Sequence, residues 1–241
     1  MQNVVAADDQ GNIRFKAAGR SPVRDLANDI RGVAPSPGWD ARYDWKGWLP
    51  YDQTPEDNGA RGWIATANQR VTAPDYPHYL TQDWALPYRY ERIAQLIEAT
   101  DKHDAASMQA IHRDVTSLAT RRLLPYLQQA KSSHPLAAAA QQQLQGFDGG
   151  MDAGKAAPLV FAAWTDELAR GLIVPRIGDA RFTATYGKRD YRAALEGILE
   201  RNDPWWCQPA SCAEQSAAAL GRALDRLQAA YGADPCLLYT S

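Results

Sequence analysis

The sequence has few cysteines, no long apolar run and no excess of basic charge, and each of these absences excludes a class of protein. Three cysteines among 241 residues are too few to build a disulfide scaffold. No apolar run approaches the roughly 20 residues that span a bilayer. The 26 basic and 28 acidic residues give a net charge of −2, which offers no basic field to nucleic acid or anionic lipid. We therefore predict neither nucleic-acid binding nor a membrane span.

The first residues also lack the basic and apolar regions of a signal peptide. Residues 1–9 are instead typical of the interior of a β-strand. With 45% hydrophobic and 22% charged residues, the chain has the composition of a folded protein. It is long enough for one large domain or two small ones.

The beginning of the chain is rich in β-prone residues and turns. Two apolar runs, residues 3–7 and 13–17, flank the turn-rich residues 8–12 and predict a hairpin. Many Pro, Gly and Asp residues between Arg20 and Pro87 predict long ordered loops. Within these loops, the short apolar run Trp63 to Ala67 predicts a strand.

The remainder of the chain, from residue 87 onward, has helical periodicity. One apolar face is formed by Tyr90, Ile93, Leu96 and Ile97. A second face repeats at Met108, Ile111, Val115 and Leu118, with Asp104 as its N-cap. Further helices are predicted at about 135–145, at 158–170 with Gly171 as the stop, at 191–201, and at 213–231 with Gly232 as the stop. This order predicts an α+β fold in one packed unit, with a strand and loop part (1–86) and a mainly helical part (87–235).

Two details near the C-terminus remain open at this stage. Cys207 and Cys212 are close enough for a small-loop disulfide in an oxidising compartment, or they are two unpaired thiols. No second pair of Cys or His has the spacing of a zinc site. Residues 236–241 break the preceding polar pattern and resemble a translated sequencing adapter, so we predict an extraneous tail; an authentic C-terminus is the alternative.

A series of short motifs gives the chain a family resemblance. In order they are Gln10-Gly11-Asn12-Ile13, Ala18-Gly19-Arg20, Asp44-Trp45-Lys46-Gly47, Leu49-Pro50-Tyr51, Trp63 to Val71, Asp75-Tyr76-Pro77, Asp83-Trp84, Tyr88-Arg89 and Arg92-Ile93. Looser matches continue to Asp203-Pro204-Trp205-Trp206-Cys207, so the resemblance covers nearly everything from Asn3 to Pro235. The series resembles the penicillin acylase (penicillin amidase) family of N-terminal-nucleophile hydrolases. Its order and spacing match an internal stretch of the β-subunit.

The resemblance implies an αββα hydrolase fold and a covalent mechanism. In the family an N-terminal Ser, exposed by cleavage of a precursor, attacks the amide carbonyl with its own α-amine as the base. Such an amine has a pKa near 7.7 to 8.0, so it accepts the hydroxyl proton at neutral pH. On this alignment the nucleophilic Ser is absent from the chain, and the contexts of Ser21, Ser36 and Ser107 do not suggest a replacement. We therefore expect the chain alone to be inactive.

Two residues match the family's catalytic site. Asn68 matches the Asn whose side-chain amide stabilises the oxyanion; a turn residue after a strand is the alternative. Arg89 matches an Arg that organises the site. Without the resemblance, Arg89 is a surface residue in the first turn of a helix, where the helix dipole disfavours its charge and suggests that it has a partner.

The resemblance implies no organic cofactor but does imply a structural calcium. Most calcium ligands match regions upstream of Met1. Residues 28–30 could supply a carbonyl, whereas His78 or Tyr79 stands where one family member has an Asp, and this departure weakens the calcium expectation. The residues that bind the acyl group cannot be identified from the sequence.

The function implied by the resemblance is hydrolysis of the linear amide of an N-acyl substrate, either a β-lactam side chain or an N-acyl homoserine lactone. The α-subunit and the rest of the β-subunit would be its partners, and the location would be periplasmic or secreted. A non-catalytic module that binds carbohydrate or peptide on clustered aromatics is the alternative. The acylase interpretation predicts that Trp39, Trp45, Trp48, Trp63 and Trp84 are mainly buried, and the binding interpretation predicts an exposed array.

Overall fold

The computed structural model describes residues 1–185 and 190–232. The chain forms two compact units, residues 1–103 and residues 104 onward. The first unit contains the strands, the loops and one helix, and the second unit is helical.

The predicted hairpin at the start of the first unit is confirmed. Strands β1 (Gln2–Ala7) and β2 (Ile13–Ala18) pair antiparallel, from Gln2 opposite Ala18 to Ala7 opposite Ile13. Asp8 fixes the turn, because its carboxylate accepts hydrogen bonds from the backbone N–H groups of Gln10 and Asn12. Strand β5 (Glu56–Asp57) pairs with the other edge of β2, which places β2 in the centre of a three-stranded sheet.

A second, two-stranded ribbon carries much of the tryptophan cluster. Strands β3 (Pro22–Arg24) and β4 (Trp45–Trp48) pair antiparallel, with short 3₁₀ helices at Ala41–Tyr43 and Tyr51–Gln53. Trp39, Trp45 and Trp48 are 90%, 60% and 46% exposed, so the prediction that they are buried was wrong. A two-stranded ribbon has no layer to cover each face, and the rings of Trp45 and Trp48 instead pack edge to face at 5.3 Å.

The predicted strand at Trp63 to Ala67 was also wrong, since these residues belong to an irregular segment. Hydrogen bonds from side chains, and not a β-ladder, hold this segment. Asn3 Nδ2 donates to Thr66 Oγ1 at 2.8 Å, and the backbone N–H of Ala67 donates to the side chain of Gln69 at 2.7 Å. The β-prone composition of residues 63–67 therefore corresponds to a partly buried segment and not to a strand paired in a β-sheet.

Helix α1 (Tyr88–Glu98) ends the first unit and confirms the helix predicted after Pro87. Its apolar face is only partly buried, because the first unit covers it with loops. The two remaining tryptophans of the cluster, Trp63 and Trp84, are likewise half-buried.

The second unit contains eight helices within the described residues. They are α2 (Ala105–Arg113), α3 (Leu118–Gln128), α4 (Ala137–Gln143), α5 (Ala156–Ile177), α6 (Asp179–Thr185), α7 (Asp190–Glu200), α8 (Pro204–Cys207) and α9 (Cys212–Tyr231). Helices α5 and α9 form the centre of this unit. The fully buried Trp164 of α5 packs there, and its indole N–H donates to the carbonyl of Ser216 in α9 at 2.8 Å.

The apolar repeat from Met108 to Leu118 is divided between two helices, which corrects the prediction of one. Asp104 does cap α2, as predicted, in a reciprocal capping box with Ser107. The helix ends at Arg113, and Asp114 adopts extended backbone. Ser117 then caps α3. The capping side chains, and not the spacing of the apolar residues, thus determine where these two helices begin.

Gly171 does not stop α5, which continues to Ile177 and ends at Gly178, where φ is +83°. A Cβ on Gly171 would lie 2.6 Å from a guanidinium nitrogen of Arg222 in α9. The glycine therefore admits a side chain from the neighbouring helix instead of ending its own.

The predicted helices near 135–145, 191–201 and 213–231 are confirmed as α4, α7 and α9.

The structure joins Cys207 and Cys212 by a disulfide. The predicted tail 236–241 lies outside the described residues. Among the described helices, none has the length and apolar content needed to cross a bilayer. Strands first and helices afterwards confirm the predicted α+β class.

Candidate active site

Asn68 lies at a sharp turn of the irregular segment in the first unit. Its φ of +63° is in the left-handed region, which Asn tolerates better than most residues because its short side chain can bond locally. Its carbonyl accepts a hydrogen bond from the N–H of Ala85 at 2.8 Å. The residues on either side, Ala67 and Gln69, are buried, whereas Asn68 is exposed. The turn therefore presents one polar side chain on an anchored backbone.

Arg89 fixes the orientation of the Asn68 side chain. Arg89 is the second residue of α1, and its Nη2 donates both to the carbonyl of Ala67 at 2.7 Å and to Oδ1 of Asn68 at 2.9 Å. Because the guanidinium holds the amide oxygen, the amide nitrogen must point away from Arg89. Among the described residues, Nδ2 of Asn68 has no hydrogen-bond partner.

The arrangement is a neutral hydrogen-bond donor beside a fixed positive charge. An amide N–H donates without a change of protonation. A pre-oriented donor of this kind can stabilise an oxygen that gains negative charge during a reaction, and needs no reorganisation to do so. The sequence pattern identified both members of this pair, and the structure brings them together.

Gln69 is the residue of the site that the sequence analysis missed. Its side-chain oxygen accepts the N–H of Ala67, two residues earlier. This bond closes the turn around Asn68, and Arg89 donates to the carbonyl of the same Ala67. In the sequence, a glutamine between Asn and Arg after an apolar run gives no sign that it is buried. Its bond to the N–H of Ala67 is evident only from the conformation of the turn.

Two of the serines considered as replacements for the nucleophile, Ser21 and Ser107, take part in local hydrogen bonds. Ser21 is buried, and its carbonyl accepts the N–H of Leu49 at 2.8 Å. Ser107, in the second unit, belongs to the capping box of α2. Both serines therefore serve the local structure around them.

A cleft of about 580 Å³ lies beside the segment that leads to Asn68. Phe15, Ile64, Thr66 and Gln69 line it, whereas Asn68 does not. Arg61 also lines the cleft, and hydrogen bonding to Tyr90 raises the pKa of its guanidinium. The cleft and the amide donor are therefore neighbouring but separate features of the first unit.

The segment 28–30, which the resemblance relates to calcium, has side-chain oxygens that already accept hydrogen bonds. The side-chain oxygen of Asn28 accepts the N–H of Arg31 at 2.7 Å. Asp29 accepts the hydroxyl of Tyr43 at 3.2 Å. Both side-chain oxygens thus have partners, and of the backbone carbonyls of residues 28–30, that of Ile30 accepts the N–H of Val33 at 3.1 Å. No group of three or more His, Cys, Asp or Glu side chains converges as metal ligands anywhere in residues 1–185 or 190–232.

The other calcium-related position is next to positive charge. The guanidinium carbons of Arg24 and Arg31 lie 5.6 and 5.3 Å from the ring centroid of Tyr79. A Ca²⁺ ion requires six to eight oxygen ligands and is repelled by such neighbours. The described residues at these positions therefore do not form a calcium site by themselves.

This fold is that of a known family of hydrolases. A family model described as Penicillin amidase matches residues 1–237, so the chain belongs to the penicillin amidase family.

Two curated relatives carry acylase names. Acyl-homoserine lactone acylase QuiP of Pseudomonas aeruginosa is 34% identical over 230 residues, covering 85% of this chain and 26% of that protein. Penicillin acylase 2 proenzyme of Pseudomonas sp. strain SE83 is 34% identical over 209 residues, covering 86% of this chain and 26% of that protein. The chain thus spans about a quarter of the length of these relatives.

A solved structure shows the same fold. The thermostable penicillin G acylase from Alcaligenes faecalis matches with a TM-score of 0.75 over 97% of this chain and 48% of that chain. The sequence identity of this match is 22%, so the likeness concerns the fold alone.

Proposed function

We propose that this chain supplies the oxyanion-stabilising side of an amide-hydrolase active site. The observation that carries the proposal is the contact of Arg89 with Oδ1 of Asn68, which leaves Nδ2 free to donate. Attack on an amide carbonyl turns its oxygen into an oxyanion. An N–H donor already aimed at that position stabilises the transition state more than the substrate.

In the proposed reaction the nucleophile is an N-terminal Ser outside this chain. Its α-amine takes the hydroxyl proton, Oγ bonds to the carbonyl carbon, and the leaving amine receives a proton as the C–N bond breaks. Water then hydrolyses the acyl-enzyme and releases the acid. Asn68 would act in both steps, because each passes through a tetrahedral oxyanion.

The proposed substrate class is an N-acyl compound with a linear amide, either a β-lactam side chain or an N-acyl homoserine lactone. The names of the two relatives support these two alternatives. The proposed partners are an α-subunit and the remainder of a β-subunit, in a periplasmic or secreted enzyme.

The decisive experiment uses the precursor gene that contains this chain and a chromogenic phenylacetyl amide together with an acyl homoserine lactone. Asn68→Ala should lower kcat by 10²- to 10³-fold, because one oxyanion donor contributes about 3 kcal/mol. Gln142→Ala, which removes an exposed amide from α4, is the matched control and should keep full activity. Full activity of Asn68→Ala would contradict the proposal.

The chain 1–241 by itself should release no acid from either substrate. Acid release above background by purified 1–241 would contradict the assignment of the nucleophile to another part of the protein.

The exposed Trp45 and Trp48 favour a second candidate function, in which the ribbon binds carbohydrate or peptide without chemistry. Paired aromatic rings on an open surface suit stacking against sugar faces. Titration of chain 1–241 with a chito-oligosaccharide, followed by tryptophan fluorescence, tests this function. Binding that Trp48→Ala abolishes would support it, and an unchanged spectrum would exclude it for that sugar.

A further inference from the structure

A second cleft in the first unit, about 430 Å³ in volume, has a strongly basic lining. Arg24, Arg31 and Arg70 line it together with Tyr79, and one acid, Asp25, is also present. Three guanidinium groups against one carboxylate give this cleft a net positive charge.

The single acid does not neutralise the arginines. Asp25 lies 3.6 Å from Nζ of Lys46 and also accepts the N–H of Ala27 at 2.9 Å. In the described parts of the chain, no carboxylate lies within 4.0 Å of the guanidinium of Arg24 or Arg31. The one hydrogen bond found for the Arg24 side chain is a 3.5 Å contact with the carbonyl of Pro22. Most of the donor capacity of both arginines is therefore unused.

Aromatic and backbone groups hold these two guanidiniums in place. Both approach the ring of Tyr79, at 5.6 and 5.3 Å from its centroid. Arg24 also passes close to Gly32, where an added Cβ would lie 3.2 Å from its Nη2. Cation–π contacts fix the planes of the guanidiniums but leave their N–H edges available.

The remaining polar side chains of the cleft add no negative charge. Burial raises the pKa of Tyr76, and its hydroxyl donates to the carbonyl of Gln53 at 2.8 Å. Arg70 uses its Nε on Thr72 and its Nη2 on the carbonyl of Ala73, so it contributes charge more than free donors.

We propose that the cleft between Arg24, Arg31 and Tyr79 binds a small oxyanion, a carboxylate or a phosphate. Planar guanidinium edges match the paired oxygens of both groups and form charge-assisted hydrogen bonds with them. The cleft has room for one such group.

The test is a titration of chain 1–241 monitored by thermal shift and by heteronuclear NMR. Sodium phosphate and sodium acetate are compared with sodium chloride at equal ionic strength, and calcium chloride is a fourth arm. Phosphate or acetate should raise the Tm and shift the resonances of residues around Arg31, whereas chloride and calcium should not. The more effective of the two oxyanions identifies the ligand class.

Arg31→Gln, at an exposed position, should weaken oxyanion binding about tenfold, the loss expected for one charge-assisted hydrogen bond. Arg24→Gln should do the same, and the double variant should not respond. Arg14→Gln removes an equal charge from the exposed side of β2 and should bind as the unmodified chain does. An oxyanion response that survives in the double variant, equal responses to chloride and phosphate, or stabilisation by calcium would each overturn the proposal. The readout is binding, so it is independent of whether the chain takes part in amide hydrolysis.

Discussion

At the scale of single residues, the site depends on the backbone of one asparagine. Asn68 has a left-handed φ and is exposed, whereas its neighbours Ala67 and Gln69 are buried. Three contacts then fix the turn: the side chain of Gln69, the guanidinium of Arg89 and the N–H of Ala85. An amide donor held in this way loses little entropy when it binds an oxyanion.

Replacement of Gln69 tests whether the turn positions the donor. In the processed enzyme expressed from the precursor gene, Gln69→Leu should lower kcat by about 10²-fold with little change in KM, because a shift of about 1 Å in a catalytic group has an effect of this size. Gln69→Glu keeps an acceptor oxygen for the N–H of Ala67 and should recover most of the rate. If the two variants lose kcat equally, or if only KM changes, Gln69 has no positioning role.

The residue scale also shows what the sequence could and could not reveal. That Asn68 and Arg89 lie together was predictable, because the family resemblance relates both residues to one site. The clamp by Gln69 was not, since a bond between a side chain and the backbone two residues earlier exists only in one conformation of the turn. The approach of Arg24 and Arg31 to Tyr79 joins strand β3 and the loop after it to a distant part of the sequence, and it carries no periodic signal.

At the scale of elements, helices were predictable where caps and apolar spacing agreed. Helix α9 shows both, with Ser211 and Glu214 at its start and a buried stripe of leucines. Periodicity alone failed between Met108 and Leu118, where caps divided one predicted helix into two. Gly171 failed as a stop signal because helix packing, rather than local propensity, decided its role.

The capping box of α9 gives a stability prediction. Ser211 Oγ accepts the N–H of Glu214 at 3.2 Å, and the Glu214 carboxylate accepts the Ser211 N–H at 2.8 Å. Ser211→Ala should lower the free energy of unfolding of the second unit by about 1 kcal/mol. Urea unfolding followed by circular dichroism measures this loss, and Ser211→Thr, which retains a capping hydroxyl, should keep most of the stability.

The same capping box predicts a pH dependence. Hydrogen bonds from the backbone and side chain of Ser211 lower the pKa of Glu214 below its usual value. A carboxyl with a lowered folded-state pKa stabilises the fold above its unfolded pKa of about 4.3, and this contribution is lost as the pH falls through the folded pKa. The stability difference between the unmodified chain and Glu214→Gln should therefore be present at about pH 6 and disappear in acid. A difference that stays constant as the pH falls from about 6 to about 3 would contradict this assignment.

At the scale of the whole molecule, different interactions stabilise the two units. The second unit has a continuous apolar core between α5, α9 and the helices around them. The first unit has small sheets, ordered loops and many hydrogen bonds from side chains to backbone. Regular apolar spacing made the second unit largely predictable, whereas the loop contacts of the first unit follow no period.

The disulfide between Cys207 and Cys212 lies wholly within the second unit, where it links α8 to the start of α9. Closure of so short a loop should contribute about 2 kcal/mol. The double variant Cys207→Ala/Cys212→Ala should therefore increase amide hydrogen exchange in α9 and leave the hairpin β1–β2 unchanged. Equal destabilisation of the hairpin would show that the two units unfold as one.

The contact between Arg89 and Asn68 also has a consequence for the chemical ageing of the protein. Spontaneous deamidation of Asn68 would convert its side-chain amide into a carboxylate and so remove the donor. The neighbouring guanidinium would bind this carboxylate more strongly than the original amide. The aged molecule would lose the proposed oxyanion donor while its turn became more rigid, so stored protein could pass every test of folding after this donor had gone.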